Sequence, residues 1–175
     1  MTVPFGVLRD IEFTPALAPD KIALSEENHA GQGQKVWVLA KNVPDDLSGF
    51  GWNTAFDFVG VIDVTPDGQV LVCFSPEANG VDVDDVATVQ RAVRAFAPDA
   101  EVMAVASHDW NADPWSRGTW TTFRPGQILR AEAALARPEG AIHFAGAHTA
   151  RRWPGFIDGA IESGSRVARE VLDVL

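Results

Sequence analysis

His143-Phe-Ala-Gly146-Ala-His-Thr-Ala-Arg-Arg-Trp153-Pro-Gly155-Phe-Ile157-Asp-Gly-Ala160-Ile-Glu-Ser-Gly164 is the stretch on which the reading of this chain turns. It predicts a short buried strand over residues 141–145, a glycine-rich turn carrying aromatics, and a helix over residues 157–172 opened by Gly155. The first amides of a helix have no partner inside it, and together they carry roughly +0.5 of an elementary charge. Such an end suits something planar and electron-rich. The plainer alternative is a glycine turn leading into a core helix. On the helix, Ile157, Ile161, Gly164, Ala168 and Leu172 share one face, with Asp158, Glu162 and Glu170 elsewhere.

Upstream, the order of elements is strand-rich with interspersed helices. Residues 2–13 read as extended, limited by Pro4 and Pro15. A short helix is expected over 19–29. A strand follows over 34–39, with Val36 and Val38 on one face and Trp37 and Leu39 on the other. Residues 55–64 and 69–74 form a hairpin across Pro66-Asp67-Gly68. Asp84 can cap a helix running to Phe96, with Val86, Val89, Val93 and Phe96 in a stripe. A strand over 102–106, a loop over 111–118 crowded by Trp110, Pro114, Trp115 and Gly118, and a helix over 127–135 complete the order. The alternation is not regular βαβ, so the fold class is α+β, with a mixed, largely antiparallel sheet.

With 175 residues the chain can bury one real core. Its 24 acidic and 14 basic side chains give a net charge of −10, which argues against a nucleic-acid partner. Cys73 is the single cysteine, so neither an internal disulfide nor a cysteine metal cluster is expected. His108, His143 and His148 lack metal-ligand spacing, and zinc is rejected. No apolar run approaches the ~18 residues of a membrane span. The start lacks a basic segment followed by an apolar signal core, which predicts a cytoplasmic chain.

The residues from Phe144-Ala-Gly146 to Gly164 resemble the C-terminal flavin-cradling motif of the FAD-dependent amine oxidases. The resemblance covers nearly the whole chain and is strongest from Trp110 onward. Thr2-Val-Pro-Phe-Gly-Val-Leu-Arg-Asp-Ile-Glu-Phe is similar to the passage where that family's polypeptide leaves its FAD domain for its substrate domain. It implies a substrate-domain-like part over 1–110 and a flavin-contacting part over 111–175. A dinucleotide site needs a G-x-G-x-x-G turn between strand and helix. Gly31-Gln-Gly33 lacks the third glycine and precedes a strand. The resemblance therefore implies a larger partner subunit carrying that motif, whose FAD-binding domain the C-terminal strand–turn–helix completes.

What the resemblance implies for single residues is specific. Cofactor contacts fall at Trp115, Gly146, Ala147, Trp153, Gly155, Phe156, Ile157 and Ala160, with Trp153 a packing neighbour of the flavin. Many relatives carry Glu where this chain has Ala147, so a polar contact there is absent or comes from the partner. Trp120 and Phe156 match the two aromatics of the family's substrate cage; the alternative is that both fill core. Thr119 stands where covalently flavinylated relatives carry cysteine, which implies non-covalent FAD. Lys35 matches a lysine that relatives hold near flavin N5; the alternative is a solvated surface lysine. Lys35, Trp120 and Phe156 are thus the expected catalytic set, acting on a small amine. Arg151 and Arg152 are left open between FAD phosphates, a substrate carboxylate and the partner chain. The rival readings are a flavin dehydrogenase or desaturase with a non-amine substrate, and a non-catalytic interaction subunit.

Overall fold

A computed structural model describes residues 1–78 and 80–174. They form two compact units, one of residues 32–110 and the other of residues 1–31 with 111–175. Grouped by packing, the first 31 residues thus go with the C-terminal part. The division into 1–110 and 111–175 is what the resemblance implies.

Residues 32–110 build a five-stranded sheet, entirely antiparallel, in the order β2-β3-β4-β1-β5. The strands are β1 (Gln34–Lys41), β2 (Ser48–Phe50), β3 (Phe58–Thr65), β4 (Gly68–Ser75) and β5 (Glu101–Ser107). The β3–β4 hairpin turns at Pro66-Asp67, with Thr65 paired to Gly68. β2 is an edge strand too short to register as a sequence pattern. Successive strand residues point to opposite faces, and the core takes one of them: Val36, Val38, Ala40, Val59, Leu71 and Cys73 pack with Val89, Ala92 and Val93 of helix α2 (Val86–Arg94). The cap of α2 is Asp85, one residue beyond the expected Asp84, and its carboxylate accepts the Ala87 amide at 3.0 Å. Val86, placed in the buried stripe by the sequence, is exposed because it lies in the first turn.

The other unit is helical. It holds α1 (Pro19–Glu27), α3 (Gln127–Leu135) and α4 (Ile157–Leu172), with short 3-10 helices over Phe5–Asp10 and Ala147–Thr149. Its core joins Phe5, Leu8, Leu17 and Leu24 to Ala131, Ala134, Leu135 and Phe144. Phe5–Asp10 was expected to be extended. It coils after Pro4 because a tight turn buries Phe5, Val7 and Leu8 together.

The expected strand over residues 141–145 does not form, while the turn and helix after it do. Residues 143–145 join no sheet; the Met1 ammonium donates to His143 O at 2.6 Å and Ala145 N donates to Met1 O at 2.9 Å. A strand needs a neighbouring ladder, and the sheet of this chain uses only residues 34–107. No helix among the described residues is long and apolar enough to cross a membrane.

Candidate active site

Helix α4 grips the preceding turn by its polar side. Ser163 Oγ accepts the Gly146 amide at 2.9 Å and donates to Ala160 O at 2.9 Å. The Glu162 carboxylate accepts the amides of Arg151 and Arg152 at 3.1 and 3.2 Å. Arg166 donates to Phe144 O, Thr149 Oγ1 and Glu170 Oε1 at 2.7, 3.1 and 2.6 Å. Glu170 also meets His143 Nδ1 at 2.9 Å. Burial pushes the Glu170 carboxyl up, but the His143 and Arg166 contacts outweigh it and hold it below its ordinary value.

Residues 162, 166 and 170 recur every fourth position and so share a face. A turn rich in buried backbone groups needs polar partners, and this face supplies them. The apolar stripe is left outside: Ile157, Ile161 and Leu172 are 82%, 63% and 70% exposed.

One backbone contact brings the two cage candidates into the same neighbourhood. Gly155 adopts φ +85°, and a Cβ on it would lie 2.7 Å from Thr121 O. Glycine alone meets both demands without strain. Trp120 precedes Thr121 and Phe156 follows Gly155, so the two aromatics flank this contact. They are 55% and 62% exposed, not core residues. Trp153 stands edge-on to Phe156 at 6.0 Å. The Gly155 amide donates to Ala147 O at 3.2 Å, a bond that any residue at 147 would supply. Trp115 is exposed on its loop. A largely apolar groove bounded by Thr121, Phe123, Pro125, Ile128, Pro154 and Phe156 opens alongside.

Ile157 to Ala160 form the first turn of α4. Its N-cap, Phe156, provides no side-chain cap. Ala160 N donates to Phe156 O at 3.1 Å; the amides before it are the ones a helix cannot satisfy by itself. Arg151, left open by the sequence, pairs with Glu132 at 3.2 Å.

Lys35 belongs to the sheet unit. It pairs in register with Phe74, on the sheet face opposite the core. Its ammonium lies 4.4 Å from the Trp37 ring centroid and 5.8 Å from that of Phe74. The rings continue along this face, with Phe74 5.9 Å from Phe58 and Phe58 5.2 Å from Phe50. Lys35 is therefore a cation laid on aromatic rings.

Sequence reading missed Phe58 and Phe74; the signal was their alternation within the two arms of the hairpin. It also missed Ser163, Glu162 and Arg166, whose polar spacing on α4 was legible but not its inward direction. Among the described residues, no three His, Cys, Asp or Glu side chains gather as metal ligands.

Residues 1–172 match the family model for flavin containing amine oxidoreductases. The chain belongs to that family. It is 38% identical, over 179 aligned residues, to a pseudooxynicotine dehydrogenase from Pseudomonas sp, covering 100% of this chain and 36% of that protein. It is 32% identical to an (S)-6-hydroxynicotine oxidase from Paenarthrobacter nicotinovorans, covering 98% of this chain and 40% of that protein. The fold superposes on a putrescine oxidase redesigned in its cofactor binding with a TM-score of 0.84, at 22% identity, over 100% of this chain and 42% of that one. The chain thus spans little more than a third of the length of the relatives it matches.

The residues present fit a flavin. Thr119 Oγ1 is buried without a hydrogen-bond partner among the described residues, immediately before Trp120. The uncapped first turn of α4 offers backbone donors near Phe156. An orphaned hydroxyl and uncapped amides in one unit are what a polar, planar cofactor edge would satisfy.

Proposed function

We propose that this chain supplies the isoalloxazine-facing and substrate-facing part of an FAD-dependent amine oxidase. The nucleotide end of FAD would be held by a larger partner subunit with a G-x-G-x-x-G turn. The observation that carries this reading is the seating of Gly155 on Thr121 O, which sets Trp120 and Phe156 at the mouth of the uncapped helix. The exposed Ile157–Ile161–Leu172 stripe supports a partner, because a surface helix ordinarily buries that side.

When bound, FAD supplies the two-electron acceptor for a hydride leaving the amine carbon, and water hydrolyses the resulting imine. The chain's own residues do the rest. Trp120 and Phe156 orient a neutral amine and exclude water from it. The first amides of α4, among them that of Ile157, hold developing negative charge, with Gly146, Ala147, Gly155, Ala160, Trp115 and Trp153 as the cofactor's further neighbours on this side. Lys35 adds a cation held on the aromatic face of the sheet. A neutral amine needs no general base here. Thr119 has no thiol with which to form a thioether, so FAD is non-covalent at this position. Two relatives are named for nicotine-derived compounds, which makes nicotine-derived amines the first substrates to try.

The test is to purify the chain with its partner and titrate the complex anaerobically with such amines. Flavin absorbance that bleaches on amine addition upholds the reading. A yellow complex inert to every amine favours a non-amine dehydrogenase. A colourless complex favours an interaction subunit.

A further inference from the structure

The Gly31-Gln-Gly33 motif finds no role in nucleotide binding, and its first glycine sits against Trp120. A Cβ on Gly31 would lie 1.7 Å from Trp120 O and 2.8 Å from its carbonyl carbon. No backbone tolerates that approach, so the residue opposite Trp120 must lack a side chain. Around this contact, residues 28–31 run alongside 117–122 as a short ladder. Thr119 N donates to Gly31 O at 2.8 Å, and Ala30 N donates to Thr122 O at 2.7 Å. The Asn28 amide group donates to Arg117 O at 2.7 Å.

His29 locks the ladder from behind. It is buried, and its Nδ1 accepts the Gly31 amide at 3.0 Å. Its ring also fills the space beside Gly118, where a Cβ would come within 2.7 Å of His29 Cε1. Accepting at Nδ1 requires the tautomer protonated at Nε2. Burial, with the Arg124 charge adding to it, holds the imidazole pKa down and keeps that tautomer neutral. The Phe5 ring packs 5.5 Å from His29 and closes the arrangement.

We propose that His29 and Gly31 are positioning residues for Trp120: they fix the backbone on which this wall of the amine site stands, without touching substrate. The proposal rests on Trp120 facing the amine. A side chain anchored on both sides of its own peptide can hold a substrate in reacting geometry, whereas one on a free loop cannot.

The test uses the flavin-loaded complex and three variants: Gly31→Ala, His29→Leu, and His29→Asn, whose Oδ1 replaces the Nδ1 acceptor. Stopped-flow flavin reduction by amine separates binding from the limiting rate. Hydrogen exchange over residues 117–123 reads the clamp directly, with α3 as internal control. Gly31→Ala and His29→Leu are expected to lower the limiting rate by about 100-fold, the usual scale for a displacement of about 1 Å. Flavin content and amine affinity should change little, exchange at Thr119 should accelerate, and His29→Asn should keep both rate and protection. Wild-type rates in all variants, or losses of rate that merely follow loss of flavin, would overturn the proposal. If no amine reduces the wild-type flavin, the amine-oxidase reading fails and the exchange experiment alone decides. Faster exchange confined to 117–123 in Gly31→Ala and His29→Leu upholds the clamp, and unchanged exchange removes it.

Discussion

Ser163 on helix α4 accepts the amide of Gly146 at 2.9 Å, so the terminal helix and the glycine turn are one rigid piece. The bond crosses 17 residues of sequence and satisfies a part-buried backbone N–H. Ser163→Ala is expected to cost about 1 kcal/mol, the net worth of an intramolecular hydrogen bond. Thermal unfolding and flavin affinity should fall together, since the turn and the first turn of α4 loosen as a unit.

The apolar stripe of α4 gives a prediction about assembly. Ile161 is 63% exposed on a face with Ile157 and Leu172. Covering an isoleucine stabilises an interface by about 1.5–3 kcal/mol. Ile161→Lys should therefore weaken association with the larger subunit at least tenfold, measured by analytical ultracentrifugation. The fold of this chain should be unaffected, because Ile161 packs in no core cluster of its own unit.

Trp120→Ala tests the cage. Losing one ring of an aromatic pair is worth about 0.5–1.5 kcal/mol beyond its buried area, or roughly 2- to 12-fold in kcat/KM. Amine turnover should fall by at least that factor while the flavin stays bound. Equal loss of both would make Trp120 a structural residue.

Lys35→Met tests the cation on the sheet. The ammonium is held over Trp37 and Phe74, and among the described residues no carboxylate pairs with it, so methionine can occupy its path without stranding one. The complex should assemble normally, and the rate of flavin reduction or reoxidation should fall. Unchanged rates in both half-reactions would return Lys35 to the surface.

His148 gives the helical unit an acid limit. Burial, with a smaller contribution from the Lys21 charge, pushes its imidazole from 6.5 down to about 4. Between these values the unfolded chain takes up a proton that the folded chain refuses. Stability contributed by neutral His148 is therefore complete above about 6.5 and is lost as pH falls towards 4. The difference is on the order of 3 kcal/mol. His148→Asn should flatten the pH dependence of the melting temperature across this window. An unchanged slope would assign the acid limit to other groups.

Much of this was legible in order along the chain. The apolar alternation around Val36 and Val38, the Pro66-Asp67-Gly68 turn and the span of α4 follow from periods of two and of 3.6 residues and from turn chemistry. The glycines at 155 and 146 marked the turn. Residues 141–145 failed as a strand because a strand is a property of a pair, and no ladder of this chain lies beside them. Residues 5–10 failed as an extended segment because burial of Phe5, Val7 and Leu8 outweighed a weak local preference.

The sequence by itself determined most of the elements, the family and the residue types proposed for the site: aromatics, glycines and one lysine. Periodicity and motif are local, so a linear reading recovers them. Only the tertiary structure decided which side of α4 turns inward, that Gly155 seats on Thr121 O, and that Gly31 lies against Trp120. Those facts depend on backbone carbonyls and amides distant in sequence finding partners, and a backbone group carries no letter in the sequence to announce where it will be satisfied.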